Sequence, residues 1–174
     1  MNTPEKLPII NCVVVTYNRL SLLQENILAL KQQTFPLHKI FIINNCSTDG
    51  THEFLDSLSS DFQMEIIHLP ENKGGAWGFY EGIKQAVLAG CDYVWIMDDD
   101  TIPTKNALEE LTKGLSLSDR IGFVCSKVIW TDGSLHKMNG PNLVVDHTTQ
   151  ETILKSNMQT SGVVCESCSF VSVL

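Results

Sequence analysis

The chain has 174 residues, of which 43% are hydrophobic and 18% charged, a composition typical of a globular domain and not of a disordered or fibrous chain. A chain of this length can bury a continuous core as one domain. The formal net charge of -8 and the lack of Lys and Arg clusters argue against a nucleic-acid partner, because phosphate backbones are bound by clustered basic side chains.

The cysteines and the N-terminus bear on the cellular compartment. Six cysteines lie mostly in or beside apolar runs, where free thiols behave as small hydrophobic groups, and this favours the cytosol. Cys165 and Cys168 have C-x-x-C spacing without a second ligand pair, so they are either part of a metal or redox site or incidental thiols. Residues 1–8 lack a signal-peptide pattern, and every apolar run is shorter than the ~20 residues of a membrane span. We therefore expect no membrane span in this chain.

Apolar runs alternate with helical patterns along the chain. Runs that are apolar on both faces predict buried strands at 9–16, 39–43, 64–69, 93–97 and 121–130. Apolar stripes predict a helix after each of the first four strands. Gly90 is expected to cap the third helix at its C-terminus, and Thr104 is expected to cap the fourth at its N-terminus.

This alternation predicts an α/β domain with a mostly parallel sheet flanked by helices, and with ligands at the carboxyl ends of the strands. Residues 139–162 are polar and weakly periodic, which predicts a long loop or irregular excursion at the edge of the domain. Residues 170–174 are apolar and strand-like. Because the chain stops inside that run, we expect it to be a truncated part of a longer protein.

Four polar clusters follow the first four predicted strands. They are Thr16-Tyr17-Asn18-Arg19, the Asn-Asn-Cys-Ser-Thr-Asp-Gly of 44–50, the Glu-Asn-Lys-Gly-Gly-Ala-Trp-Gly of 71–78, and Asp98-Asp99-Asp100. Each cluster alone is ordinary turn or cap chemistry. Their convergence on one edge of one sheet is what indicates a binding site.

The triple aspartate is the most specific of these clusters, because three adjacent carboxylates repel one another unless a cation or water relieves them. Alternate residues of an extended segment point the same way, so Asp98 and Asp100 are predicted to share Mg²⁺ or Mn²⁺ while Asp99 faces elsewhere. Water and a diphosphate would supply the remaining ligands. The alternative is a solvated acidic turn that caps the next helix.

The glycine-rich turn has two interpretations as well. Gly74, Gly75 and the following helix N-terminus can present backbone N–H groups to phosphate oxygens, with Lys73 as a point charge, or they form an ordinary turn. Trp77 either packs in the core or flanks a sugar or a base.

The polar residues after the first two strands are equally open. Asn44 and Asn45 either hydrogen-bond a nucleobase or satisfy the turn and cap the next helix. Asn18 and Arg19 either reach a phosphate or base or are surface residues. The histidines have no ligand spacing and are interpreted as surface or turn residues; they are His38, His52, His68, His136 and His147.

The segments VVVTYNR, IINNCSTDGT, ENKGGAWGFYEGI and VWIMDDDTIP occur in the order found in family 2 glycosyltransferases with the GT-A fold, which the chain resembles over about its whole length. The triple aspartate is most similar to the galactofuranosyl- and rhamnosyltransferase-like branch. The resemblance implies a Rossmann-like nucleotide-diphospho-sugar transferase fold. It also implies inverting, metal-dependent transfer from a UDP- or dTDP-sugar to a saccharide or lipid-linked acceptor in cell-surface polysaccharide synthesis.

The resemblance also implies roles for individual residues. Donor binding is implied for Thr16, Asn18, Arg19, Asn44, Asn45, Asn72, Gly74, Gly75, Trp77, Asp98 and Asp99, and binding of Mg²⁺ or Mn²⁺ for Asp98 and Asp100. Many relatives have Asp at the position of Asn44, which would contact the base with a hydrogen-bonding edge but without a carboxylate.

In this family the general base is a carboxylate from a later Gly-Asp-Asp or Glu-Asp motif, and a later His often completes the metal site; neither motif occurs here. We therefore expect residues 1–174 to be the nucleotide-sugar-binding part, inactive alone, with the base beyond Leu174. The resemblance implies a cytoplasmic location, in solution or at the inner face of the membrane. The alternatives are a non-catalytic nucleotide- or nucleotide-sugar-binding module, and a nucleotidyltransferase, which usually has a basic Gly-rich loop where Tyr17-Asn18-Arg19 stands.

Overall fold

The computed structural model describes residues 7–58, 61, 63–117, 121–134, 141–143, 165–168 and 172–174. Within these residues the strands are β1 (Ile10–Thr16), β2 (Lys39–Asn44), β3 (Met64–His68), β4 (Tyr93–Asp98), β5 (Pro141–Leu143), β6 (Cys165–Cys168) and β7 (Ser172–Val173). The helices are α1 (Leu20–Lys31), α2 (Thr51–Ser57), α3 (Gly75–Leu88) and α4 (Ala107–Leu115).

The main sheet has the strand order β3-β2-β1-β4-β7. Its first four strands are parallel, and β7 pairs antiparallel with β4. The predicted α/β class with a mostly parallel sheet is therefore confirmed, and the strand expected within residues 170–174 is present as β7. A separate two-stranded sheet joins β5 to β6 in antiparallel orientation.

The central strand β1 explains why helices cover both faces of the sheet. All seven of its residues are buried, and their side chains alternate between the two faces. Cys12 and Val14 join an apolar cluster with residues of α1, α2 and α4. Val13 and Val15 join a second cluster on the other face, which α3 covers. Such two-sided burial is the reason that the strand is apolar on both faces, with Asn11 and Thr16 as its only polar residues.

Helix α3 lies unusually close to the sheet because two of its glycines face β-branched side chains. A Cβ atom on Gly78 would lie 2.6 Å from Cγ1 of Val15. A Cβ atom on Gly82 would overlap Val13 and lie 3.0 Å from Cγ1 of Ile43. Valine has one strongly preferred side-chain rotamer and cannot swing away cheaply. The glycines therefore permit a helix–sheet distance that alanine would prevent.

One predicted helix end is confirmed and one is wrong. Gly90 follows the end of α3 with a φ of +81°, the left-handed conformation expected at a C-terminal cap. Thr104 does not cap α4. Its carbonyl oxygen accepts the Ala107 N–H at 3.0 Å in a turn that precedes the helix. The Leu108 N–H donates instead to the side-chain oxygen of Gln33, at 3.0 Å.

The strand predicted at 121–130 is also wrong. The segment contains isolated β-bridge residues at Cys125 and Ile129 and no continuous strand. Val124 exchanges both backbone hydrogen bonds with Leu174, at 2.8 and 3.0 Å. Trp130 is more than half exposed. In the described part of the chain, none of the five strands of the main sheet belongs to this segment, so an apolar run alone did not predict a strand here.

The long loop predicted at 139–162 is interrupted by β5, and the other residues of that range lie outside the described part of the chain. Strand β5 forms because β6, more than twenty residues later, supplies its hydrogen-bonding partner. In the residues that the structure describes, none of the helices has the length and apolar character needed to cross a bilayer.

The close approach of α3 generates a stability prediction. Gly82→Ala should lower the free energy of unfolding by about 1–3 kcal/mol, because the added methyl group overlaps Val13 and Ile43. Gly75→Ala lies in the same helix with no atom within 4 Å of its added Cβ, and should leave stability unchanged or slightly raised. Urea unfolding of both variants measures the difference. Equal stability of the two would contradict the packing described here.

Candidate functional site

The register of the parallel strands brings the ends of β1, β2 and β3 into one row. Thr16 lies beside Asn44, and Asn44 lies beside His68. On the other side of β1, Asp98 at the end of β4 lies beside Val15. The polar clusters that follow these strands therefore meet at one edge of the sheet, as the sequence predicts.

A buried carboxylate connects the end of β1 to the turn after β4. The Thr16 hydroxyl donates to Oδ2 of Asp99 at 2.7 Å, and Asp99 is 3% exposed. Arg19 Nη1 lies 3.4 Å from Oδ1 of Asp99 and 2.7 Å from Oδ2 of Asp100. Burial raises the pKa of Asp99, although the Thr16 hydrogen bond and the Arg19 charge oppose that rise. One arginine thus connects a buried and a half-exposed carboxylate.

The acidic triplet is not extended, so that premise of the metal prediction is wrong. Asp99 and Asp100 lie in a turn, and the Thr101 N–H donates to the carbonyl of Asp98 at 3.2 Å. The turn forms because β4 ends at Asp98. Even so, the Asp99 carboxylate points into the protein towards Thr16, away from the solvent-facing side of the turn.

Of the three aspartates, Asp98 is the one whose negative charge is unfavourable and is not paired with Arg19. Partial burial, followed by the charges of Asp100 and Asp99, raises its pKa to about 6, while Arg19 lowers it. Among the described residues Arg19 pairs with Asp99 and Asp100 but not with Asp98. Carboxylate oxygens are the ligands that Mg²⁺ and Mn²⁺ prefer. A divalent cation held by Asp98 and Asp100 would relieve the repulsion, so the donor set fits such an ion.

The loop after β1 is joined to the loop after β2 through Asn18. Its backbone N–H donates to the Ser47 hydroxyl at 3.0 Å, and its side-chain oxygen accepts the Thr48 N–H at 2.7 Å. Asn18 and Cys46 have positive φ angles of 52° and 63°. Asparagine tolerates this conformation better than other residues, whereas cysteine is strained in it.

The loop after β2 is joined in turn to the glycine-rich turn. Asn45 Nδ2 donates to Oδ1 of Asn72 at 2.8 Å, and that same oxygen accepts the Gly74 N–H at 2.8 Å. Asn45 Oδ1 accepts the Lys73 N–H at 3.3 Å. Gly74 has a φ of 87°, which requires glycine. Asn45 and Asn72 therefore stabilise the turn that leads into α3.

Asn44 lies beneath the loop after β2 and the glycine-rich turn. It is fully buried, its side-chain oxygen accepts the Ser47 N–H at 2.9 Å, and its Nδ2 lies 2.9 Å from Nδ1 of His68. Both ends of its amide are thus used within the protein, which matches the turn-stabilising interpretation. Its contact with a nucleobase stays a prediction.

The side chains at the start of α3 are exposed. Trp77 is 41% exposed, its ring centroid lies 5.2 Å from that of Tyr80, and the Lys73 ammonium lies 5.3 Å from the Trp77 centroid. Lys73 also pairs with Glu71 at 3.0 Å. Core packing of Trp77 is therefore wrong. Its face is accessible beside Gly75, where α3 begins.

Sequence reasoning missed two residues that connect these loops. Asp49 accepts the Leu20 N–H at 3.1 Å and the Thr51 N–H at 3.2 Å, and so caps the first turns of α1 and α2. Asn26 is fully buried in α1 and donates to the carbonyl of Thr101, just beyond the acidic triplet. An aspartate two residues before a helix is a recognisable signal for the first. A lone asparagine in a helical stripe gives no signal for the second.

The structure places two of the histidines, His52 and His68, beside Asp56, a grouping that the sequence interpretation did not include. His52 and Asp56 lie one turn apart on α2, and His68 ends β3 beside them. Potential ligand atoms of these three residues lie within 4.8 Å of one another, and in the described part of the chain no other group of three or more His, Cys, Asp or Glu does this. The i,i+4 spacing of His52 and Asp56 was the available signal.

Solved structures with the same architecture include a mannosyltransferase. The mannosyltransferase PcManGT from Pyrobaculum calidifontis, in complex with GDP-Man and Mn2+, superposes with a TM-score of 0.62 and 24% identity over 72% of this chain and 37% of that one. TarS 1-349 from S. aureus, in complex with UDP-GlcNAc, has a TM-score of 0.54 and 23% identity over 62% of this chain and 31% of that one. At these identities the likeness establishes the fold.

Sequence comparison establishes the family. The poly-beta-1,6-N-acetyl-D-glucosamine synthase of Staphylococcus aureus (strain COL) is 30% identical over 123 residues, which are 69% of this chain. The aligned part is 28% of that relative's length. Residues 12–173 match the profile of the family described as glycosyl transferase family 2. The chain therefore belongs to glycosyl transferase family 2 and has the GT-A fold.

Proposed function

We propose that the protein binds a nucleotide-diphospho-sugar at the carboxyl edge of its sheet through Mg²⁺ or Mn²⁺, as the donor-binding part of an inverting glycosyltransferase. The observation that carries this proposal is the acidic triplet. Asp99 is buried and engaged by Thr16 and Arg19, whereas Asp98 has a pKa raised to about 6 by burial and by its two acidic neighbours. Such crowding without a cation is costly, and a cation that bridges to a diphosphate would remove that cost.

The loops around the triplet supply the other donor contacts in this proposal. Asn18 and Arg19 after β1 would line the nucleotide pocket, and the turn at Asn44 and Asn45 would contact the nucleobase. The turn that Asn72 stabilises leads into the N-terminus of α3, where backbone N–H groups and the helix dipole favour phosphate. The exposed face of Trp77 would flank the sugar or the base.

The proposed reaction is a single displacement. The acceptor hydroxyl oxygen bonds to the anomeric carbon as the bond from that carbon to the diphosphate oxygen breaks, and a carboxylate base takes the hydroxyl proton. When bound, the divalent cation stabilises the negative charge of the departing nucleoside diphosphate. Asp98 and Asp100 would hold the cation, and Asp99 and Thr16 would hold the turn that carries them. We assign the base to a segment outside residues 1–174.

The donor and the acceptor follow from the same proposal. We propose a UDP- or dTDP-sugar of the galactofuranose or rhamnose type, because of the triple aspartate, and a saccharide or lipid-linked acceptor used in cell-surface polysaccharide synthesis. The reaction would occur in the cytoplasm, at the inner face of the membrane when the acceptor is lipid-linked. Cys12, Cys46 and Cys91 form no disulfide bonds among the described residues, which suits a reducing compartment.

Calorimetry with this chain tests metal-dependent donor binding. UDP or dTDP should bind at least about tenfold more tightly with Mn²⁺ than with EDTA, because the cation offsets the repulsion between diphosphate and carboxylates. GDP, which differs from UDP in its nucleobase, shows whether binding depends on the nucleobase. UDP-galactofuranose, dTDP-rhamnose, UDP-GlcNAc and GDP-Man then rank the sugars. Equal affinity with EDTA and with Mn²⁺ would instead support the non-catalytic nucleotide-binding module.

Alanine substitutions in the triplet separate cation binding from structural support. Asp98→Ala and Asp100→Ala should abolish most of the Mn²⁺ effect on nucleotide affinity, and the exposed Asp100 should change stability by no more than about 1 kcal/mol. Asp99→Ala leaves the buried Thr16 hydroxyl without its acceptor and should lower the free energy of unfolding by about 1–3 kcal/mol. Urea unfolding and calorimetry measure the two effects. Loss of the Mn²⁺ effect only in a fully stable Asp99→Ala variant would refute this division.

A further inference from the structure

Four residues form a continuous chain of polar contacts beside the loop after β2, residues 44–50, which we call the donor loop because the proposed function places it at the nucleotide-sugar donor. Nε2 of His68 lies 3.1 Å from Oδ1 of Asp56, and Nδ1 of His68 lies 2.9 Å from Nδ2 of Asn44. Oδ1 of Asn44 then accepts the Ser47 N–H at 2.9 Å. The chain runs from the exposed surface of α2, through the end of β3, to the turn after β2.

These contacts define the tautomer of His68. The Ser47 N–H is a donor, so it fixes the oxygen of the Asn44 amide on its own side. The NH₂ group of Asn44 must then face His68, and because it can only donate, Nδ1 of His68 must accept. The proton of the neutral imidazole therefore lies on Nε2 and is donated to Asp56.

The same deduction argues against a metal ion at this cluster. His52, Asp56 and His68 have their potential ligand atoms close enough to share a cation. However, a metal on Nε2 of His68 would displace its proton to Nδ1, which would then face the NH₂ group of Asn44. Two donors would oppose each other beside a fully buried side chain. The hydrogen-bonded arrangement is therefore favoured over metal binding.

The Asn44 side-chain amide also closes a turn that contains a residue with a strained backbone conformation, Cys46. Its hydrogen bond to the Ser47 N–H closes over Cys46, whose φ of 63° is a left-handed conformation that is unfavourable for a non-glycine residue. Such conformations persist only where surrounding contacts require them. Beyond the strained residue, the Ser47 hydroxyl accepts the N–H of Asn18. The turn thus holds the loop after β1 as well.

We propose that His68 is a positioning residue for the donor loop: backed by Asp56, it fixes the Asn44 amide that holds the strained turn at Cys46 and, through Ser47, the loop of Asn18. The consequence for nucleotide affinity rests on the proposed function, since these loops would line the nucleotide pocket. The consequence for loop structure does not. His52 offers a matched control, because it stacks on His68 at 3.8 Å and pairs with Asp56 but has no contact with Asn44 among the described residues.

NMR of the nucleotide-free protein tests the contact directly. Two-bond ¹H–¹⁵N correlations should show His68 with its proton on Nε2, and the Ser47 amide should be protected from hydrogen exchange. His68→Phe should speed exchange at Ser47, while His52→Phe should not. A proton on Nδ1 would overturn the proposal. So would a shift of the His68 resonances by one equivalent of Zn²⁺ at micromolar concentration, because that outcome identifies a metal site.

Nucleotide binding tests the consequence. His68→Phe keeps the ring but removes the acceptor for Asn44, and should weaken Mn²⁺-dependent UDP binding about tenfold, whereas His52→Phe should change it less than about twofold. Adding Cys46→Gly relieves the strained φ and should restore most of the lost affinity. A loss that glycine does not restore, or an equal loss in both phenylalanine variants, would overturn the proposal. If the wild-type protein binds no nucleotide, the proposed function fails, while the Ser47 exchange rates still decide the role of His68.

Discussion

The hydrogen bond between the Thr16 hydroxyl and the Asp99 carboxylate sets the geometry on which the candidate site depends. It joins the end of the central strand to the turn after β4, two points 83 residues apart in the chain. Burial of a carboxylate is unfavourable unless hydrogen bonds and an opposite charge compensate it, and here both are present in Thr16 and Arg19. Because Asp99 is held inward, the turn that it anchors also fixes its two neighbours, of which Asp98 is partly buried and Asp100 is exposed.

Polar side chains also replace apolar packing as the link between the loops at this edge. Asn18, Asn45 and Asp49 each accept backbone N–H groups from a loop or helix other than their own. Such bonds satisfy donors that would otherwise be exposed at helix starts and turns. They also order the loops before any ligand arrives, which reduces the entropy lost on binding. The edge is therefore a connected polar network supported by a rigid sheet.

The sheet was predictable from sequence because burial on both faces leaves nearly unbroken apolar runs rich in β-branched residues, and β1 is such a run. The clusters at the strand ends were predictable for the same reason, since parallel strands bring their carboxyl ends together. The run at 121–130 misled because hydrophobicity does not reveal whether a neighbouring strand exists. The Thr16–Asp99 and His68–Asn44 contacts were not predictable, because they depend on strand order and on rotamers that no local spacing encodes.

The glycines on the inner face of α3 have a consequence for the ligand end of that helix. Gly78 and Gly82 lie on consecutive turns, so they act as two points of contact that fix both the height and the tilt of the helix axis above the sheet. Because an α-helix is stiff, fixing α3 at these two residues also fixes the position of its N-terminus. The peptide groups at Gly75, one turn before the first contact, are thereby held at a set level above the strand ends. Gly78 and Gly82 thus set the level of the first turn of α3, and a side chain added to either would lift that turn away from the sheet.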